Sequence, residues 1–276
     1  MKTVTLAGRD VPALGMGAWK IGESSRLRSQ ELAALKRGIE LGMTLIDTAE
    51  MYGEGASEEL IGEAIQSLRD RVYLVSKVYP HNAGRRAAIT ACDRSRKRLG
   101  VDCIDLYLLH WRGSVPLAET LDVFAELKRT GKIGAFGESN FDTEDMDEAR
   151  SLPHGREIAT DQILYNLTRR GVEHDLLPWL RVSRVPVMAY SPVEQGRLAR
   201  NPKLAAIAGK CGATPAQVAL AWVLAQPDVI AIPKSGDRNH VEENRLAAEM
   251  ELTPEEMAAL DEAFPRPKGR KPLEVL

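Results

Sequence analysis

Apolar runs long enough for buried strands alternate along this chain with stretches whose apolar residues recur every three or four positions. The runs are residues 14–19 (LGMGAW), 43–48 (MTLIDT), 72–77 (VYLVSK), 104–110 (IDLYLLH), 133–138 (IGAFGE), 159–164 (ATDQIL), 185–190 (VPVMAY) and 229–233 (VIAIP). Near-continuous apolarity marks strands covered on both faces, as in parallel sheets. Between the runs, Leu32, Leu35 and Ile39 fall on one helical face and Gly42 follows as a stop signal. Ser57, ahead of Glu58 and Glu59, reads as an N-cap with an acidic first turn. Thr214-Pro215-Ala216-Gln217 and Thr253-Pro254-Glu255-Glu256 read as capping boxes with proline at the first helical position. Strand–helix alternation of this kind predicts a parallel α/β fold, and eight repeats are the number that closes a barrel. The pattern by itself also admits an open, doubly wound sheet. Ahead of the first barrel strand, residues 2–6 and 11–14, joined by Ala7-Gly8-Arg9-Asp10, predict a short hairpin. With no linker, low-complexity tract or repeat, residues 1–276 read as one domain.

Length and composition narrow the picture. The 276 residues suit one barrel, which takes roughly 250. A net charge of −2 gives no footprint for nucleic acid or an anionic membrane surface. No apolar run approaches the ~20 residues of a membrane span, and MKTVTLAGRDVPALG is too polar for a signal peptide. The expected setting is the cytoplasm. Cys92, Cys103 and Cys211 form no CxxC pair and no zinc-like cluster with histidine, so they read as small buried hydrophobes and no metal is expected.

In a barrel, functional groups gather at the C-terminal ends of the strands. There the sequence puts Asp47, with Tyr52 five residues on, then Lys77, His110, Ser139 and Asn140, Gln162, Tyr190 and Ser191, and Lys234 and Ser235. Four of these fit one reaction, the reduction of a carbonyl by a nicotinamide hydride. The developing alkoxide needs a proton. A tyrosine, with an ordinary pKa of about 10, is a reluctant acid at neutral pH. A nearby lysine ammonium favours the phenolate and lowers that pKa, and an aspartate keeps the lysine charged. A histidine can hydrogen-bond the carbonyl oxygen and orient it. Tyr52, Lys77, Asp47 and His110 supply these four parts without a metal.

The motifs carrying these residues resemble those of the aldo-keto reductase family. Gly42-Met43-Thr44-Leu45-Ile46-Asp47-Thr48-Ala49-Glu50-Met51-Tyr52 resembles its GxxxxDTAxxY signature. Val75-Ser76-Lys77, Asp105–Trp111, Gly137-Glu138-Ser139-Asn140-Phe141, Tyr190-Ser191-Pro192 and Ile232-Pro233-Lys234-Ser235, with Glu243 and Asn244 beyond, resemble the segments that follow, in order. The resemblance runs from about residue 14 to 250. It implies a single (β/α)8 TIM barrel with an N-terminal β-hairpin and a short C-terminal tail. It also implies hydride transfer from NADPH, with NADH possible, to a small carbonyl substrate.

By position, Asp47, Tyr52, Lys77 and His110 would form the catalytic tetrad, with Tyr52 as acid. Ser139, Asn140 and Gln162 would hold the nicotinamide carboxamide, and Tyr190 would stack on its ring. Lys234, Ser235 and Asn244 would lie along the adenosine end, with Trp19, Asp47, Ser191, His240 and Glu243 also at the cofactor. Trp19, Tyr79 and Trp111 would line the substrate pocket. The family binds its cofactor without a Rossmann glycine motif. Consistently, Gly15-Met16-Gly17 does not continue as GxGxxG, because Lys20 stands where the last glycine belongs, and the glycines read as sites of close backbone approach. A monomer is expected, because members of the family are often monomers.

Two positions depart from the family pattern. His240 stands where an arginine often faces the 2′-phosphate of NADPH, although Arg238 is close by. Glu138 stands where GxSNF usually carries an apolar residue. The loop after Trp111 is short, and the tail after Phe264 looks too short to cover the pocket, so an open site for several small aldehydes is expected. The overall look is similar to bacterial members that reduce 2-oxoaldehydes such as methylglyoxal. Two other readings use the same residues: a regulatory protein on this fold, and a barrel hydrolase with a metal on Asp47 and Glu50.

Overall fold

A computed structural model describes residues 1–276. The hairpin pairs β1 (Thr3–Leu6) with β2 (Arg9–Pro12) in antiparallel register. Its turn is tighter than the four residues predicted. Ala7 and Gly8 both take positive φ, at 49° and 77°, so two residues suffice and Arg9 and Asp10 join the ladder. Adjacent left-handed residues give a turn whose twist matches that of the strands it joins.

All eight predicted strands are present. They are β3 (Met16–Gly17), β4 (Leu45–Asp47), β5 (Tyr73–Val78), β6 (Ile104–Leu109), β7 (Ile133–Ser139), β8 (Asp161–Leu164), β9 (Val187–Tyr190) and β10 (Val229–Ile232). Each pairs in parallel with its sequence neighbour, from β3 to β10. The backbone closes the circle: Gly15 N–H donates to Ala231 O at 2.9 Å, Gly17 N–H to Pro233 O at 3.0 Å, and Ala231 N–H to Ala13 O at 2.8 Å. This closure rules out the open sheet. A side chain at Gly17 would put its Cβ 2.7 Å from Ile232 O, so the glycine serves a close backbone approach, as predicted.

Helices α1 (Arg28–Glu40), α2 (Ala56–Ile65), α3 (Arg85–Leu99), α4 (Leu117–Arg129), α5 (Thr143–Ser151), α6 (Leu176–Ser183), α7 (Pro202–Lys210), α8 (Pro215–Leu224), α9 (Arg238–Ala247) and α10 (Pro254–Ala263) surround the barrel. None is long and apolar enough to cross a membrane. The capping boxes at Thr214 and Thr253 form with both reciprocal bonds, each cap being worth about 1 kcal/mol. The Ser57 cap does not form. Gly55 caps α2, and Ser57 lies one position inside it, buried, with its hydroxyl 2.9 Å from that of Thr48 and donating to Ala18 O at 3.1 Å. Local spacing suggested a cap, but the hydroxyl faces the barrel instead of its own helix end.

Two apolar cores result. The larger lies between barrel and helices. The smaller fills the barrel, where Leu45, Val75, Leu106, Leu108, Met188 and Ile230 meet Leu6 and Val11 of the hairpin, which plugs the lower end. Only the upper end, at the strand C-termini, is left for chemistry.

Candidate active site

The upper end brings together the four residues singled out in the sequence. Asp47 ends β4, Lys77 is the penultimate residue of β5, and His110 follows β6. Tyr52 opens a tight turn after β4 in which Gly53, Glu54 and Gly55 all take positive φ. Lys77 Nζ donates to Asp47 Oδ2 at 2.8 Å, to Thr48 O at 2.7 Å and to Tyr52 Oη at 3.1 Å. An ammonium has three protons, and all three are used. Because Lys77 donates to the phenol oxygen, the proton on Tyr52 is left to point elsewhere. The His110 ring meets that of Tyr52 edge-on, with centroids 5.7 Å apart.

Burial sets the electrostatics. It works against the Lys77 ammonium, but Asp47 and Tyr52 more than compensate, so Lys77 is held charged above its ordinary range. Burial raises Asp47, opposed by Lys77 and by the Gln162 amide, which donates to Asp47 Oδ1 at 2.7 Å. Burial also pushes the Tyr52 phenol up, and the Lys77 ammonium pulls it back without cancelling the rise. The expected pull of the lysine is present, yet the net shift is upward, because loss of water disfavours the phenolate more strongly. Burial, then the Lys77 charge, drives His110 down to about 2, so its imidazole is neutral at working pH.

A second polar group flanks the tetrad. Ser139 Oγ donates to Gln162 O at 2.9 Å, and Asn140 Nδ2 donates to His110 O at 3.0 Å and Ser139 Oγ at 3.1 Å. The Tyr190 hydroxyl donates to Asn140 Oδ1 at 2.9 Å. Asn140 (φ 59°) and Ser191 (φ 49°) both hold left-handed backbone, a local strain typical of functional sites. Trp19, Tyr79 and Trp111 stand at the mouth: Trp19 and Trp111 are exposed, and Tyr79 is half-buried and edge-on to Trp111 at 6.0 Å.

The predicted adenosine-end residues lie farther out. Lys234 is exposed just past β10, and Ser235 Oγ donates to Asp237 O at 3.0 Å. His240 lies exposed in the first turn of α9, its N–H bonded to the capping Asp237 carboxylate. Glu243 and Asn244 follow on α9, exposed and half-buried. Arg238, the nearby candidate for the arginine role, pairs instead with Glu242 at 3.3 Å.

Three features went unread in the sequence. The Thr48 carbonyl is a ligand of the Lys77 ammonium, and Gln162 is bonded to the tetrad itself. The tail is also tied down by residues far upstream. Arg170 donates to Phe264 O at 2.8 Å, and Arg270 pairs with Asp175 at 2.6 Å and Glu274 with Arg169 at 2.5 Å. These contacts tie residues 265–276 to the segment after β8. Glu138 is fully buried in register with Asp161 on β8, and both carboxyls keep unpaired oxygens. Nothing in the structure explains an acid at that position.

The sequence profile of the aldo/keto reductase family matches residues 13–264, which contain all eight barrel strands. The chain belongs to that family. It is 49% identical to methylglyoxal reductase YeaE of Escherichia coli, over 96% of this chain and 95% of the relative. Glyoxal reductase of Bacillus subtilis is 32% identical, with 92% and 89% covered. An aldo/keto reductase from Klebsiella pneumoniae, solved in complex with NADP and acetate, superposes with a TM-score of 0.98 at 46% identity, covering 100% of this chain and 99% of that one. The family's barrel and the fold described above are the same. The metal-hydrolase reading loses its support, because N–H donors already occupy both carboxylates it needs: Lys77 and Gln162 at Asp47, and Tyr79, Asn82 and Arg94 at Glu50.

Proposed function

We propose that the protein is an NADPH-dependent reductase of small aldehydes, including 2-oxoaldehydes such as methylglyoxal. The observation that carries this reading is the Lys77 ammonium bonded at once to buried Asp47 and to the Tyr52 phenol. Similarity to a methylglyoxal reductase and to NADP-bound structures supports it.

The residues present fit a nicotinamide. Ser139, Asn140 and Gln162 offer neutral hydroxyl and amide groups, matched to a neutral carboxamide. Tyr190, its hydroxyl tied to Asn140, offers a fixed aromatic face. When bound, the cofactor supplies a hydride to the carbonyl carbon.

The chain does the rest. Neutral His110 orients the carbonyl oxygen by a hydrogen bond. Tyr52 gives its free proton to that oxygen as negative charge develops. Lys77, already donating to Tyr52 Oη, stabilises the phenolate left behind, and Asp47 keeps Lys77 charged. These donors are set before reaction, so little reorganisation is required. Trp19, Tyr79 and Trp111 form the substrate wall. Lys234, Ser235, His240, Glu243 and Asn244 line the adenosine end, with Ser191 nearer the nicotinamide.

We also read residues 1–276 as one domain and the protein as a cytoplasmic monomer; the free Cys92, Cys103 and Cys211 suit a reducing compartment. The test is a panel of carbonyls assayed by loss of NADPH and of NADH absorbance. Turnover of 2-oxoaldehydes with NADPH is expected. No turnover of any aldehyde with either cofactor would overturn the reading.

A further inference from the structure

Glu50 lies between Asp47 and Tyr52 but takes no part in the tetrad. It is 5% exposed, which is costly for a carboxylate unless donors surround it. Its Oε1 accepts the Tyr79 N–H at 2.8 Å and the Asn82 side-chain amide at 3.0 Å. Its Oε2 accepts from Arg94 on α3 at 3.3 Å. The Arg94 side chain is 49% exposed, so water screens that ion pair and it contributes little. The two donors from residues 79–82 are the sheltered ones. The Glu50 N–H meanwhile donates to Lys77 O at 3.2 Å, which fixes its own backbone to the end of β5.

Those donors belong to the segment that carries the substrate wall. Tyr79 stacks on His81 with centroids 4.7 Å apart and meets Trp111 edge-on at 6.0 Å. Trp111 packs on His110 at 4.8 Å, and His110 on Tyr52 at 5.7 Å. A chain of aromatic contacts therefore runs from the wall to the acid, and Glu50 joins its two ends through the backbone. On the far side the segment rests on Gly113, where a Cβ would come within 2.5 Å of Pro80 Cβ.

We propose that Glu50 is a positioning residue, which holds the Tyr79 wall in register with the loop bearing Tyr52 and so sets how tightly the carbonyl substrate binds. The inference rests on the reductase reading above. Lys77 is held by Asp47 and Thr48 independently of Glu50, so loosening the wall leaves the proton-donating pair in place. The effect falls on substrate binding before chemistry.

The test compares Glu50→Ala and Glu50→Gln with the parent enzyme, using methylglyoxal. Glu50→Ala is expected to raise KM about tenfold while kcat stays within about threefold, the pattern of lost ground-state and transition-state binding together. NADPH affinity, read by quenching of protein fluorescence, stays as in the parent. Glu50→Gln keeps an acceptor for the Tyr79 N–H and is expected to recover KM to within about threefold. An unchanged KM in Glu50→Ala overturns the proposal. So does a joint fall of kcat and NADPH affinity, which marks damage to the tetrad, and so does Glu50→Gln as impaired as Glu50→Ala. If Glu50→Ala does not fold, Asn82→Ala decides: it removes one donor only, and KM should rise about threefold, whereas an unchanged KM overturns the proposal. Should the parent enzyme turn over no aldehyde with either cofactor, the reductase reading fails whatever Glu50 does. Should Tyr52→Phe be inactive while no KM moves, this inference alone fails.

Discussion

The Lys77 ammonium lies 3.1 Å from the Tyr52 hydroxyl and donates to its oxygen. That direction matters more than the distance. A phenol that accepts from a cation keeps its own proton for another partner, and the oxygen it would become is already stabilised. Burial raises the phenol, which keeps it protonated before reaction; the ammonium counts most when the proton leaves. The two effects oppose each other in the resting site and cooperate over the reaction.

Lys77→Met removes the charge that receives the phenolate. Turnover should fall about 100-fold or more, and Asp47 would be left as a buried charge with Gln162 as its remaining partner, a loss of roughly 3–5 kcal/mol. Steady-state kinetics and thermal melting check both effects. Near-normal kcat would contradict the role given to the ammonium.

His110 gives a pH prediction with a definite sign. In the folded protein the imidazole protonates only near pH 2, whereas an unfolded histidine does so near about 6.5. Between these values the unfolded chain binds more protons, so stability rises with pH and is lost on acidification. In His110→Phe the gap in melting temperature between pH 7 and pH 5 should narrow. A gap that stays the same or widens would show that His110 is not held neutral.

Glu138 works in the opposite direction. Burial, then the Asp161 charge, raises its carboxyl well above the usual range. The folded state therefore keeps a proton that the unfolded chain loses near about pH 4.3, and stability falls as pH rises above that. Glu138→Gln should stabilise the protein, by about 2–6 °C at pH 8 and less at pH 5. A gain that shrinks with rising pH would refute this.

The cofactor preference can be tested at α9. Arg238 is engaged by Glu242, and His240 lies exposed in the first helical turn. A guanidinium there could grip a 2′-phosphate with two hydrogen bonds. His240→Arg should tighten NADPH about tenfold and leave NADH nearly unchanged. An unaltered ratio of dissociation constants, measured by fluorescence titration, would reject this placement of the adenosine end.

What could be read in the sequence was whatever depends on short-range pattern. The eight apolar runs became eight strands, and Thr214 and Thr253 cap their helices, because propensity, spacing and burial agree there. Asp47, Tyr52, Lys77 and His110 were legible because strand ends converge in a barrel. Features set by distant partners were not. Ser57 has the spacing of a cap, but its hydroxyl answers to Thr48 and Ala18. The tail's path depends on Arg169, Arg170 and Asp175, some ninety or more residues upstream. Glu50 sits inside a recognisable motif, yet its partners Tyr79, Asn82 and Arg94 come from the next strand–helix unit.

The most direct test of the account is Tyr52→Phe, which deletes one oxygen and keeps the ring packed against His110. With methylglyoxal and NADPH, kcat should drop about 1,000-fold or more, while NADPH binding by fluorescence titration remains within about threefold of the parent. Reduction at a rate near the parent's would mean that another group delivers the proton, and the assignment of Tyr52 would be wrong.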